Sequence, residues 1–245
     1  MQNYKRLPLE GLKNARDLGG FGTPLGVTKF GVFIRSDVPS SLSAEDIEFL
    51  KRYNLKSVID LRSQKECSAI PDALSQEDWL SYMNVPMYDE KAAKGVCTDD
   101  NEKFLWADHY IRLADTSKRW IFEVITALER ARDCTLFHCA TGKDRTGLVS
   151  MALLGLCGVS DEDIIADYSV SQIYLRPLYE KMLSEGKAKS LDDPFFCTAP
   201  ENMSRLLQYI NSEYGDIPSY LNSCGISNAL MDSLKKRFIS EKTIA

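Results

Sequence analysis

One stretch narrows the choice of fold more than any other. Thr135-Leu136-Phe137-His138-Cys139 is a short β-type run, and Arg145 to Cys157 reads as a helix apolar on most faces. Only Ala140-Thr141-Gly142-Lys143-Asp144 lies between them. A strand feeding a buried helix through so short a loop needs a sheet on which that helix can pack. The turn also points successive backbone N–H groups inward. At a helix N-terminus such a concavity binds a tetrahedral anion. Gly142 permits the close approach of backbone that this requires.

The rest of the first 140 residues alternates the same two signals. Gly31-Val32-Phe33-Ile34-Arg35 and Lys56-Ser57-Val58-Ile59-Asp60-Leu61 are β-type runs, and Leu80 to Met87 reads as a third. Ser43 caps a helix in which Ile47, Leu50 and Tyr53 recur at helical spacing. From Asn101 to Arg132 the pattern is helical, with Trp120, Ile121, Val124, Ile125 and Leu128 on one stripe. Residues 11–29, rich in glycine, read as a loop with tight turns. Ser160 caps a further helix, and nearly everything after it is helical, with breaks near Gly186–Pro200 and Tyr214–Pro218. The alternation predicts an α/β fold with a parallel sheet. The helical tail either packs on that sheet or forms a lid. A chain of 245 residues without repeats or linkers suits one domain spanning residues 1–245.

Composition removes several classes of function. Thirty Lys and Arg against 35 Asp and Glu give a net charge of −5. That speaks against a nucleic-acid binder or a polybasic membrane-surface protein. The polar start, Met1-Gln2-Asn3-Tyr4-Lys5-Arg6, does not read as a signal peptide. The most apolar stretch, Leu148 to Val159, is too short for a membrane span, which needs about 20 residues. With only 2 His the chain has no multi-histidine metal centre, and neither a metal nor a cofactor is expected. The 7 Cys are scattered, with no CxxC, as in reduced thiols. The expected location is the cytoplasm, with export lacking a leader left open.

The chemistry sits in the short loop. Cys139 lies at its mouth, where the helix dipole and Arg145 favour a thiolate. Arg145 returns to the same anion with a planar fork that matches two phosphate oxygens. A nucleophile and an anion clamp then share one ring of backbone donors, formed by Ala140, Thr141, Gly142 and Lys143. A bare Cys-x5-Arg match would be weak in a chain with 7 Cys. The full string His138-Cys139-Ala140-Thr141-Gly142-Lys143-Asp144-Arg145-Thr146-Gly147, in strand-then-helix context, is specific.

On these residues the chain resembles the bacterial protein tyrosine phosphatases with an HCxxGKDRTG phosphate loop, the protein tyrosine phosphatase B group. Asn14-Ala15-Arg16-Asp17-Leu18-Gly19-Gly20 is similar to the group's N-terminal block, although Ala15 stands where the group usually has an aromatic residue. Arg35-Ser36, Asp60-Leu61-Arg62-Ser63 with Glu66, Asp167-Tyr168 and the Tyr214-Gly215 segment match later blocks, so the likeness covers roughly residues 10 to 235. The resemblance implies a phosphotyrosine protein phosphatase fold: a central parallel-rich sheet flanked by helices, with a C-terminal helical elaboration or lid.

It also implies hydrolysis of phosphotyrosine, extending to phosphoserine, phosphothreonine and phosphoinositides, through a phosphocysteine on Cys139. The partners expected are a phosphorylated protein or phosphoinositide and phosphate-like anions in the loop. His138 would tune the cysteine, and Lys143 would hold extra anionic groups. Arg16 would border the pocket or buttress it. The proton for the leaving group has two candidate donors. Asp144 lies in the loop, and the resemblance points to it; Asp89 follows the Val85-Pro86 strand end, where α/β active-site loops emerge. Asp60 and Arg62 read as structural ion-pair partners. Two other readings compete: a sulfurtransferase of rhodanese type, and a phosphate-binding pseudophosphatase.

Overall fold

The computed structural model describes residues 3–87, 106–131, 133–191 and 196–241. Five strands form the main sheet: β1 (Arg16–Asp17), β4 (Phe33–Ser36), β5 (Leu55–Asp60), β6 (Ser81–Asn84) and β7 (Cys134–His138). Their order is β1-β4-β7-β5-β6; the last four run parallel, and β1 is antiparallel to β4. The apolar strand of the opening motif, β7, is therefore central and flanked on both sides. Its five residues are all buried, as expected for a parallel strand covered on both faces.

Alternation along the strands separates two cores. Phe33, Ile59 and Phe137 face one side, where they meet helices α3 (Trp106–Thr116), α4 (Lys118–Arg130) and α5 (Asp144–Leu156). Ile34, Val58 and Leu136 face the other, where Leu7, Leu12 and Ala15 of the N-terminal segment and Leu50 of α1 (Ala44–Arg52) cover them. Ala15 is thus an ordinary part of that core.

The capping readings hold in detail. Ser43 accepts from the Asp46 amide while Asp46 accepts from the Ser43 amide, closing a capping box on α1. Ser63 and Glu66 do the same on α2 (Gln64–Ala69), and Ser160 accepts from the Asp163 amide on α6 (Asp161–Ser169). Three expectations need correction. Residues 11–29 are more than a loop: they contain β1, and β2 (Gly22–Thr23) and β3 (Gly26–Thr28), which pair with β8 (Ile239–Glu241) in a small antiparallel sheet. The Leu80–Met87 run is strand only over Ser81–Asn84, and among the described residues β6 pairs with β5 alone. The long helical pattern breaks at Ser117 into α3 and α4, and residues 101–105 lie outside the described residues.

The helical tail packs mainly on the helices that flank the sheet. Helices α8 (Pro200–Tyr214) and α9 (Ile217–Ser223) pack with α3, α5 and α6, and α10 (Asn228–Phe238) packs against α4. Helix α7 (Ser171–Ser184) instead lies by the loop: Pro177, Leu178 and Lys181 share with Ala140 and Thr141 one groove of roughly 580 Å³.

Candidate active site

The strand register brings the site residues together. Ser36 of β4, His138 of β7 and Asp60 of β5 lie side by side, so three strands end at one level. Ligand sites of parallel sheets form beyond such carboxyl ends. The chain leaves β7 at Cys139 and re-enters order at Asp144, the first residue of α5.

Each carbonyl of the intervening loop is pinned from outside. His138 Nδ1 lies 3.0 Å from the Cys139 carbonyl oxygen. The Val38 amide donates to Ala140 O at 3.1 Å, and Asn14 Nδ2 donates to Thr141 O at 2.9 Å. Arg35 donates to Gly142 O at 2.7 Å, and the Gly147 amide to Lys143 O at 3.0 Å. In a trans peptide the C=O and the following N–H point in opposite directions. Holding the Ala140, Thr141 and Gly142 carbonyls from behind therefore leaves the amides that follow them facing the other way. Gly142 sits at φ +69°, and a Cβ there would lie 2.3 Å from Ser36 O, so only glycine closes this turn.

Behind the loop stands a buried ion cluster. Asp167 of α6 accepts from Arg16 at 2.8 Å and from Arg35 at 2.6 Å, with all three side chains at most 2% exposed. Burial alone would raise the Asp167 carboxyl; the two guanidinium charges outweigh it and hold it down to about 2. Arg16 is pulled the other way, to about 10, by burial and then by the charge of Arg35. Of the two places expected for Arg16, bordering the pocket or buttressing it, its contacts fit the second. Its guanidinium is engaged by Asp167, Ser171 and both oxygens of Asn14, and Asn14 in turn holds Thr141. Arg16 is a buttress two bonds behind the loop.

Arg145, on the first turn of α5, is oriented by Glu66. Nη1 donates to Glu66 Oε2 at 2.8 Å and to Leu61 O at 3.3 Å, and Nη2 donates to Glu66 Oε1 at 2.6 Å. Burial works against the Glu66 carboxylate, but the hydrogen bond and charge of Arg145, with help from Ser63, hold it down to about 2. These contacts use three of five guanidinium N–H groups. The pair left among the described residues, on Nε and Nη2, forms one planar edge.

Asp144 and Lys143 differ from a solvated charge run. Lys143 is 1% exposed, with Nζ 4.1 Å from the Trp106 ring centroid and 3.7 Å from Asp144 Oδ1. Burial lowers the Lys143 ammonium, partly offset by Asp144. The Asp144 side chain is 18% exposed and accepts from the Tyr110 hydroxyl. Cys139 is itself only 2% exposed. Asp89, the other candidate proton donor, lies outside the described residues, as does most of the Lys91–Trp106 segment expected to cover the pocket.

His138 is buried between two carboxylates, with Nε2 2.8 Å from Asp72 Oδ2 and 3.7 Å from Asp60 Oδ2. These three residues are the group among those described whose ligand atoms cluster closely enough for a metal. Asp60 is already occupied by Arg62, at 2.6 Å, and by Tyr82. The cluster reads as a polar footing for the end of β7, fixed by the Arg62–Asp60 ion pair. Sequence reasoning missed Asp72 and Tyr110. Nothing local marks Asp72, and Tyr110 resembles any other aromatic on an apolar helix face, four residues after Trp106.

A cysteine at the end of a central parallel strand, a loop whose carbonyls are held by hydrogen bonds and an arginine clamped by a glutamate meet at one end of the sheet. Residues 7–240 match the tyrosine phosphatase family, and the chain belongs to it. It is 26% identical over 230 residues to a tyrosine-protein phosphatase of Nostoc commune, covering 84% of this chain and 73% of that one. It is 26% identical over 272 residues to the triple specificity protein phosphatase PtpB of Mycobacterium tuberculosis, covering 93% and 96%. A Cupriavidus necator protein assigned as a tyrosine-protein phosphatase is 27% identical, covering 90% and 84%. Among solved structures, Pseudomonas aeruginosa TpbA superposes with a TM-score of 0.41 and 14% identity, covering 85% of this chain and 96% of that one. Family membership removes the rhodanese-type sulfurtransferase reading. No helix among the described residues is long and apolar enough to cross a membrane.

Proposed function

We propose that this phosphatase hydrolyses phosphotyrosine in proteins by two displacements, with Cys139 as nucleophile and residues 1–245 acting as one catalytic domain. The Cys139 Sγ attacks phosphorus in line with the departing oxygen. The S–P bond forms as the P–O bond breaks, and Asp144 gives the leaving oxygen its proton. Water then hydrolyses the phosphocysteine, and the proton it loses returns to Asp144. Dividing one difficult substitution into two lowers each barrier.

The observation that supports this reading best is the outward anchoring of the loop carbonyls. It preorganises the amides, as Glu66 does the free edge of Arg145, for three equatorial oxygens. Ala140, Thr141, Gly142 and Lys143 supply the ring, and His138 fixes the peptide that follows Cys139. We extend the substrate range to phosphoserine, phosphothreonine and phosphoinositides, because Lys143 adds a cation beside the ring and PtpB carries triple specificity in its name. Phosphate-like anions occupy the same ring. The cytoplasm suits the chain, whose described cysteines are all free thiols. Burial pushes Cys67 up to about 11 and Cys157 up to about 12, so neither competes as a thiolate.

The test is hydrolysis of p-nitrophenyl phosphate. The wild-type chain turns it over and is inhibited by vanadate, while Cys139→Ser has no measurable turnover at an unchanged melting temperature. Equal rates from the two proteins would contradict the assignment, and a wild-type chain that binds phosphate without turnover would be a pseudophosphatase.

A further inference from the structure

Asp144 meets more of the protein than a loop carboxylate needs to. Its Oδ1 accepts from the Tyr110 hydroxyl, and the Tyr110 oxygen lies 2.8 Å from the Tyr168 hydroxyl. Both rings are 1% exposed and packed edge to face, with centroids 5.8 Å apart. Tyr110 stands on α3 and Tyr168 on α6, so a helix distant in sequence backs the hydroxyl that meets the Asp144 carboxyl oxygen. Burial, then the charge of Asp144, pushes both phenols well above their ordinary range. They stay neutral hydrogen-bond donors at any working pH and do not compete as acids.

A neutral carboxyl group carries its proton on one of two oxygens. An acid that must protonate a leaving group works best when that choice is already made. We propose that Tyr110, backed by Tyr168, is a positioning residue for the proton transfer: it occupies Asp144 Oδ1, so that Oδ2 carries the proton given to the leaving oxygen. The inference rests on the reading of Asp144 as the acid. As the Cys139 S–P bond forms and the substrate P–O bond breaks, the proton leaves Oδ2 for the departing oxygen. Asp144 becomes a carboxylate, and the Tyr110 hydroxyl already donates to it. The same hydrogen bond that selects the oxygen thus stabilises the product state of the transfer.

A merely structural role for Tyr110 would slow all substrates alike when the hydroxyl is removed. Positioning predicts a loss confined to leaving groups that need a proton.

The experiment compares kcat/KM for p-nitrophenyl phosphate, whose leaving group needs no proton, with phenyl phosphate, whose leaving group does. Asp144→Asn loses about 10²-fold selectively on phenyl phosphate, the lower end of general-acid catalysis. Tyr110→Phe loses about tenfold on phenyl phosphate and less than twofold on p-nitrophenyl phosphate, and adds nothing further in the Asp144→Asn background. Tyr168→Phe, which keeps Tyr110 in place, shows a smaller loss of the same kind. This variant covers the case in which Tyr110→Phe folds poorly, judged by its melting temperature. An equal loss on both substrates, a gain on phenyl phosphate, or an undiminished effect in the Asp144→Asn background overturns the positioning role. If Asp144→Asn shows no leaving-group selectivity, the reading of Asp144 as the acid fails, and the inference fails with it.

Discussion

Arg145→Lys lowers kcat/KM for p-nitrophenyl phosphate by about 10³-fold, the lower end of what a transition-state arginine contributes. The structure says why keeping the charge does not suffice. Arg145 holds Glu66 through Nη1 and Nη2 and keeps the Nε–Nη2 edge for two phosphate oxygens. A lysine ammonium is a single point with three donors, so it either pairs with Glu66 or turns to the phosphate. If it pairs with Glu66, the equatorial oxygens lose their bidentate partner. If it turns away, a half-buried carboxylate is left beside a dianion. Steady-state kinetics with a parallel thermal melt check the result. A loss below about tenfold, in a protein that melts like the wild type, would mean that Arg145 is a structural partner of Glu66 and does little in the reaction.

The other large effect is on stability. Asp167→Ala leaves two buried guanidinium groups facing each other without a counter-charge, and removing one partner of such a cluster costs about 3–5 kcal/mol. Because Arg35 carries Gly142 O and Arg16 carries Asn14, the loop should also loosen, and phosphate should no longer raise the melting temperature. The same carboxylate gives the wild type an acid limit. The Asp167 folded-state pKa of about 2 lies below the ordinary value of 3.8. A group with a depressed pKa contributes stability fully above its unfolded value and loses it as pH falls through the folded one. Between about pH 4 and pH 2 this term, of order 2 kcal/mol, disappears, and Glu66 adds to it over the same window. Urea midpoints measured at pH 7, 4 and 2 should fall for the wild type below pH 4, and fall less for Asp167→Asn, which has no such proton to take up. Parallel curves for the two proteins would remove Asp167 from the account.

What could be read from the sequence was what is local. The strand–loop–helix of residues 134–157 is set by short-range apolar pattern and by one glycine, and the caps at Ser43 and Ser160 by residues three apart. The parallel sheet followed from the alternation of elements, but the central place of β7 did not, because strand order depends on contacts between segments that periodicity never compares. The site divides the same way. Cys139, Lys143, Asp144 and Arg145 are neighbours in sequence and were legible together. The groups that hold them come from far off: Asn14 is 127 residues from Thr141, Arg35 is 107 from Gly142, and Arg16 is 151 from Asp167. By residue type alone, Arg16 and Arg145 are equally able to meet an anion. Only the fold sets Arg16 against Asp167 and Asn14 behind the loop and Arg145 against Glu66 at the start of α5. Tyr110 shows a further limit, since a residue on the apolar face of a helix gives no sign that its hydroxyl reaches a polar partner.

The central claim is a covalent phosphate on Cys139, and the most direct test is to catch it. The enzyme is mixed with a phosphotyrosine peptide, quenched in acid within the first turnovers, digested and mapped by mass spectrometry. The account predicts phosphate on the peptide that carries Cys139, bonded to sulfur, absent from Cys139→Ser and accumulating when leaving-group departure outruns hydrolysis. Turnover with no trapped phosphate on any residue, or phosphate found on a side chain other than Cys139, would contradict it.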